Sequence, residues 1–341
     1  MRQWKYNSSD GGIEKHLQLH TTEPLPKPKP DEHLVQVLAV SLNPVDFKPA
    51  EAGLVGRLLV KKPATPGFDF CGRIVTPADG SRLEPGQLVY GAASTSAFAA
   101  GGLAEYIAAP AKTVLAVPAG SSPHEFAGAP VAAITAQCAL MPYIRSGSRV
   151  FINGGSGGVG LYTIQIAKVA GAHVTVSCSA KNAELCRSLG ADEVLDYNAR
   201  SLLDQLRDAA ATSRPFDHVV DNVFSDPELY FQAHTYTSPD AKFAEVASAP
   251  SLAFLRFALA AMLLPRFLGG AQRKMALIAA DIQQESLTQV KDWMVEGKVK
   301  TVIDEVFPME DVVQAFTKLK TGRARGKIIV HVAGEGRSPG I

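Results

Sequence analysis

The sequence predicts an α/β chain of two domains, a barrel-like β unit and a doubly wound parallel sheet. Three observations predict it. The 341 residues supply enough chain for about two domains. The first third holds short apolar runs separated by Gly, Pro and Ser clusters, the pattern of an all-β unit. The middle alternates strand-like with helix-like segments and carries a glycine-rich turn between one such strand and one such helix.

Taken in order, Pro24, Pro26, Pro28 and Pro30 make an extended lead-in. Strands are expected at Leu34–Leu42, Phe70–Val75, Gln87–Tyr90, Leu103–Ile107 and Thr113–Val117. The pattern changes near Ser122. A helix over Ala129–Ile144 leads into strand Arg149–Ile152, helix Val159–Ala170, strand His173–Ser177, helix Asn182–Leu189 and strand Glu193–Asp196. Helix Ser201–Ala209 and strands Asp217–Val220 and Lys242–Val246 follow. Such alternation calls for right-handed crossovers and a mostly parallel sheet.

Helices Glu285–Val295 and Met309–Lys318 and a last strand, Lys327–Val332, come after the αβ unit is complete, so the tail is expected to return to the first domain. The expected domains are 1–123 with 282–341, and 124–281; Gly334–Ile341 is expected to fray. The apolar segment Ser251–Leu268 approaches the length that spans a bilayer, but Arg256, Pro265 and Arg266 interrupt it. It reads as a substrate-lobe or dimer-contact helix, with association at a membrane surface as the other reading.

Charge excludes several functions. The net charge is +1, from 34 basic and 33 acidic residues, so no field draws the chain to nucleic acid. A small-molecule partner is favoured by elimination. Cys71, Cys138, Cys178 and Cys186 form no C-x-x-C pair and no disulfide framework, which fits reduced thiols in the cytoplasm. The N-terminal residues lack an apolar signal core. A monomer or homodimer that does not enter a membrane is the expectation.

The strongest local signal is Arg149-Val-Phe-Ile-Asn-Gly-Gly-Ser-Gly-Gly-Val-Gly160. Gly155, Gly157 and Gly160 spell G-x-G-x-x-G, with Ser156, Gly158 and Val159 between them, directly after an apolar strand and before an amphipathic helix. Those glycines permit a tight turn, backbone approach to a pyrophosphate and close helix–strand packing. Cofactor choice is read about 20 residues further on, where an NAD site usually places an acid on the ribose. Here stand Ser177, Ser179 and Lys181 without an acid. Two hydroxyls and a point charge suit a 2′-phosphate, hence NADPH; a solvated loop that merely lacks acid is the competing explanation. Asn222, Val223 and Phe224 follow a strand at the carboxyl edge and are expected to line the nicotinamide pocket. Asn182 and Tyr197 complete the candidate cofactor set.

Several landmarks recur in one order: Ser41-Leu-Asn-Pro-Val-Asp46, Pro66-Gly-Phe-Asp-Phe-Cys-Gly72, Gly102-Leu-Ala-Glu-Tyr106, Ile134-Thr-Ala136, the glycine turn, Ser188-Leu-Gly-Ala-Asp192 and Arg325-Gly-Lys-Ile-Ile329. On these the chain resembles the zinc-free quinone oxidoreductase-like and enoyl reductase branch of the medium-chain dehydrogenase/reductase superfamily, from about Val35 to Val332. The resemblance implies a GroES-like β domain, a Rossmann domain for NADP(H), an active-site cleft between them, and Thr135 near the nicotinamide. By its own surroundings, a Thr in an apolar helical run is ordinary packing.

The departures matter equally. Zinc-dependent relatives place a Cys three residues before an Asp, and then a Gly-His-Glu, as metal ligands. Asn43 stands at the Cys position ahead of Asp46, and Phe68-Asp69 replaces His-Glu. The four-cysteine structural-zinc lobe is missing too, so no metal is expected. Asp69 reads as a buried, hydrogen-bonded structural carboxylate. Without a Lewis acid, reduction of an activated C=C bond needs only hydride delivery, enolate stabilisation and a proton. Substrates implied by the resemblance are α,β-unsaturated carbonyls, enoyl thioesters or quinones.

Lys48 aligns with the proton-relay histidine of zinc-dependent relatives, and some similar enoyl reductases carry Lys there. An exposed lysine beside Pro49 is the alternative. Asn43 either orients substrate or nicotinamide or serves the turn before Pro44. None of the eight histidines pairs at ligand spacing, and Tyr90, Tyr106, Tyr143 and Tyr162 read as packing residues. Three functions remain in play: a C=C reductase, a quinone reductase, and a cofactor-binding scaffold without turnover.

Overall fold

The computed structural model describes residues 1–96, 98–99, 101–246 and 252–332. The chain divides into two compact units, Met1–Ile134 with Asp281–Ile341, and Thr135–Ala280. The expected frayed end, Gly334–Ile341, lies outside the described residues.

The first unit opens with β1 (Gln3–Tyr6) and β2 (Leu17–His20), paired antiparallel. Then come β3 (Glu32–Leu42), α1 (Gly53–Leu59), β4 (Asp69–Thr76), β5 (Leu88–Ala92), β6 (Tyr106–Pro110), β7 (Val114–Ala116) and α2 (Pro123–Ala127). Helix α3 (Pro130–Leu140) carries the chain across the division.

The second unit runs β8 (Arg149–Asn153), α4 (Gly158–Val169), β9 (His173–Cys178), α5 (Ala183–Ser188), β10 (Glu193–Asp196) and α6 (Leu202–Thr212). It continues with β11 (Phe216–Asp221), α7 (Glu228–Phe231), β12 (Thr237–Glu245), α8 (Leu252–Leu263) and β13 (Lys274–Leu277). The tail returns to the first unit as α9 (Gln284–Val295), β14 (Ile303–Pro308), α10 (Val312–Lys320) and β15 (Lys327–His331).

β3 organises the first unit. Its length lets β6 pair along Glu32–Gln36 and β15 along Ala39–Leu42, while β4 covers the opposite edge. The sheet order is β14-β15-β3-β4-β5-β7, with β6 on β3. Val35, Val37, Phe70, Ile74, Val89, Phe316 and Val330 fill the core beneath it. The strand expected at Leu103–Ile107 begins later, at Tyr106. The reason is local: the amides of Gly101 and Gly102 donate to Gly67 O (3.2 and 2.7 Å), and Ala104 bridges to Gln3 instead.

The domain division also falls later than position 123. Thr301 Oγ1 donates to Glu125 O (2.6 Å), and Val131 N donates to Asp69, which ties α2 and the start of α3 to the first unit.

All strands of the second unit are parallel, in the order β10-β9-β8-β11-β12-β13. β8 is buried on both faces, as helices on both sides of a parallel sheet require. The chain reverses its direction of winding between β8 and β11, and ligands of such sheets bind at that switch point.

Helix α8 stops at Leu263, ahead of Pro265, as the restriction on residues before proline demands. Leu255, Leu259, Met262 and Leu263 are exposed, while Phe257 is buried against Phe224 and Tyr230. Among the described residues no helix is long and apolar enough to cross a membrane. His218 is buried, stacks on Tyr143 and bonds Ala139 O (2.7 Å), and burial pulls its pKa down to about 4, so it remains neutral and structural.

Candidate functional site

In the second unit, the ends of β8, β9 and β11 lie side by side at the carboxyl edge of the sheet. The turn from β8 into α4 begins at Gly154, with φ +76°. A Cβ at Gly160 would stand 2.2 Å from Gly154 O, and one at Gly155 would stand 2.8 Å from Val176 Cβ. Both glycines are therefore required by packing. Gly157 differs, because a Cβ there would meet only Gly154 O, at 3.6 Å. The first amides of α4, on Gly158, Val159 and Gly160, have no intrahelical acceptor and suit an anion.

A network across three strands fixes this edge. Ser177 Oγ donates to Asn153 Oδ1 (2.6 Å) and accepts from Gly154 N (3.0 Å). Asn153 Nδ2 donates to Asp221 Oδ1 (2.8 Å), which also accepts from the amides of Val223 (2.9 Å) and Phe224 (3.1 Å). Ser177, expected on the cofactor phosphate, is thus fully buried with its hydroxyl committed to the turn. The pleat of β9 aims it at the end of β8, which spacing alone does not reveal. Asn153 and Asp221 are site-shaping residues absent from the sequence-based set.

Past the ends of β9 and β11, three buried polar atoms meet no partner among the described residues: Ser179 Oγ, Asn182 Oδ1 and Asn222 Oδ1. Native interiors leave few such atoms, and their place past strand ends that adjoin an anion-accepting turn suits a polar ligand. Asn182 Nδ2 donates to Ser156 Oγ (2.9 Å) and joins the second loop to the glycine turn. Lys181 and Tyr197 are exposed. Val223 is exposed, whereas the Phe224 ring packs against Phe254 and Phe257. Phe224 holds φ +53°, a conformation a bulky residue adopts only where its surroundings enforce it. Its contribution is therefore backbone shape. Thr135 is buried within α3. The residues present fit a dinucleotide.

The first unit gathers the remaining candidates. Asn43 ends the buried half of β3 and caps a short 3-10 turn, Pro44–Asp46. Its amide N–H donates to Asp46 Oδ2 (2.7 Å), and its side-chain Nδ2 donates to Asp69 Oδ2 (2.8 Å). The Lys327 ammonium, from β15, donates to Asn43 Oδ1. Asp69 also accepts from Val131 N (3.0 and 3.2 Å), satisfying an orphan amide at the start of α3. Asn43, Asp46, Asp69 and Lys327 are all buried.

Burial pushes each carboxyl up to about 7, and it lowers the Lys327 ammonium. Lys48 follows the turn, half-buried, with its amide on Pro44 O (2.9 Å). Sequence reasoning missed Asp46 and Lys327 as members of this cluster.

Zinc does not fit here. Of the positions where relatives place ligands, one offers an amide oxygen already facing an ammonium, one is Phe68, and one offers a carboxylate engaged by two N–H donors. Among the described residues no group of three or more His, Cys, Asp or Glu is placed to hold a metal. Purified protein is expected to contain no stoichiometric zinc and to keep its activity in chelator. Elemental analysis finding one tightly held zinc per chain overturns this.

Known proteins match this chain along nearly its whole length. Residues 29–119 match the alcohol dehydrogenase GroES-like domain, and 189–330 match the zinc-binding dehydrogenase family. The chain is 42% identical over 350 residues to the trans-enoyl reductase pgmF of Aspergillus terreus, covering 97% of this chain and 96% of that protein. It is 33% identical over 345 residues to the chloroplast envelope quinone oxidoreductase homolog of Arabidopsis thaliana, covering 97% and 98%. Among solved structures, the quinone oxidoreductase from Coxiella burnetii matches with a TM-score of 0.83 at 27% identity, covering 98% and 99%.

Proposed function

The chain belongs to the medium-chain dehydrogenase/reductase superfamily, on its enoyl reductase and quinone oxidoreductase branch, and from that premise we propose that it reduces the C=C bond of α,β-unsaturated carbonyl compounds with NADPH. It is an oxidoreductase with a nicotinamide-binding Rossmann domain and a small-molecule substrate. The observation that carries the reading is the ammonium-filled cluster at the turn that precedes Lys48. With no seat for a Lewis acid there, a carbonyl is not activated by metal, and C=C reduction asks for none.

The glycine turn and the start of α4 hold the pyrophosphate, while Ser179, Lys181, Asn182 and Asn222 take the polar groups beyond it. When bound, the nicotinamide supplies hydride at the β-carbon. Lys48 neutralises the charge that gathers on the enolate oxygen and delivers the proton that ends on the α-carbon; solvent restores the ammonium. Hydride and proton together saturate the bond. Product analysis on an enone and quinone panel tests this. Saturated carbonyl products support it, quinols alone transfer the reading to quinone reduction, and cofactor binding without turnover leaves only a scaffold.

NADPH is preferred over NADH on this reading, because Ser179 and Lys181 stand where an acid would otherwise accept from the ribose. Lys181→Ala should raise the apparent constant for NADPH about tenfold, a modest figure for one exposed charge, and leave NADH unchanged. Equal kinetics with both cofactors in the unmodified enzyme rule the preference out. The reading places the protein in the cytoplasm as a monomer or homodimer. Recovery chiefly in washed, detergent-requiring membranes refutes that placement.

A further inference from the structure

The first unit contains a buried cation that none of the steps above uses. Lys327 opens β15, is almost fully buried, and its ammonium meets Asn43 Oδ1 and, at 3.5 Å, Leu42 O. Asn43 is the hub of the cluster. One end of its amide faces this ammonium and the other faces the Asp69 carboxylate. Rotating the amide by half a turn would set NH2 against ammonium and oxygen against carboxylate, so its orientation is fixed by charge. From Asn43 the hold passes along the chain. Asp46 clasps the Asn43 amide N–H (2.7 Å), Asp46 N donates to Asn43 O (3.0 Å), and Lys48 N donates to Pro44 O (2.9 Å).

We propose that Lys327 is a positioning residue, its ammonium serving as the central cation of the Asn43–Asp46–Asp69 cluster and thereby fixing the turn that presents Lys48. This rests on the role of Lys48 proposed above. The charged and titratable groups that face one another here are Asp46 on the turn, Asp69 on β4, Lys327 on β15 and Tyr6 on β1. Burial and Asp46 push the Tyr6 phenol up to about 12, so it stays neutral. Within electrostatic reach of the one ammonium stand two carboxyls whose titration, near pH 7, belongs to the pair. Below that pH one carboxyl keeps its proton and the charges balance. Above it one buried negative charge has no partner, and the turn loosens.

The test is kcat for reduction of an accepted enone, followed across neutral pH in the unmodified enzyme, Lys327→Met and Lys48→Met. Unmodified kcat should fall as pH rises through about 7. Lys327→Met should lower kcat about ten- to a hundredfold, as slight misplacement of a reacting group does, without changing KM for NADPH. Its midpoint should move upward, because the ammonium that depresses both carboxyl pKa values is gone. A small primary alkylammonium ion added to Lys327→Ala should restore both kcat and midpoint. Lys48→Met should keep the original midpoint on its residual turnover.

Loss of turnover in Lys48→Met alongside unchanged kcat and midpoint in Lys327→Met overturns the inference alone. Full turnover in Lys48→Met overturns the reading beneath it. If Lys327→Met does not fold, Asn43→Ala removes the same bridge, and an unmoved midpoint there overturns the inference equally.

Discussion

Replacing Lys48 with Met should lower enone turnover about 10²–10⁴-fold, the range lost when a positioned general acid is removed. Met preserves the length and much of the apolar stem, so packing around the half-buried side chain is disturbed little. Cofactor affinity should change little, because the substitution removes the donor proposed to act on the enolate and alters none of the groups proposed to hold the dinucleotide, Gly155, Gly160, Ser179, Asn182 and Asn222. The measurement is single-turnover loss of NADPH absorbance with both proteins saturated in cofactor. A deficit at the small end of the range fits an ammonium that only stabilises the enolate while water donates the proton. Identical rates in the two proteins return Lys48 to the status of an ordinary lysine beside Pro49.

What was legible in the sequence follows from how local each signal is. β8, α4 and β9 could be read with nearly correct ends, since a fully buried parallel strand, a glycine turn and an apolar helix are contiguous. α4 is buried from Gly160 to Ala167 on every face and is not the amphipathic helix expected. The return of the tail to the first unit was legible too, because Lys327–His331 is apolar enough to demand a sheet. β14 was not. Its run Ile303–Pro308 carries Asp304 and Glu305 on an edge strand where only one neighbour must be satisfied. β1 and β2 were missed because each is four residues long with only two apolar side chains in alternation, Trp4 and Tyr6 or Leu17 and Leu19, too short a pattern to announce a strand.

At the site the division is similar. The glycines declare themselves through spacing. Ser177 and Ser179 look equivalent in the sequence, and only the end of β9 decides that one hydroxyl holds the turn while the other is left open. Asn43 and Lys327 are 284 residues apart, and no local pattern marks a lysine at the head of an apolar strand as the partner of a distant amide.

The glycine turn yields the second large effect, and it separates two roles that the motif merges. Gly160→Ala places a methyl group 2.2 Å from Gly154 O and 2.8 Å from Gly155 O, both rigid backbone, so the turn itself must move. Overpacking of this kind costs about 1–3 kcal/mol of stability, and the displaced turn should lose NADPH as well. Gly157→Ala adds its methyl with only Gly154 O at 3.6 Å, an ordinary contact, and the backbone there has no left-handed φ to forbid it. The fold should therefore tolerate Gly157→Ala. What the methyl obstructs is backbone approach to a bound pyrophosphate. Hydrogen bonds to a charged group are worth about 1.5–3 kcal/mol each, so losing one weakens NADPH by roughly ten- to a hundredfold. Thermal unfolding without cofactor, set beside NADPH titration by intrinsic fluorescence, distinguishes the variants. Gly160→Ala should fail in both measurements, and Gly157→Ala only in the second. Wild-type affinity in Gly157→Ala would falsify the placement of the pyrophosphate against this turn.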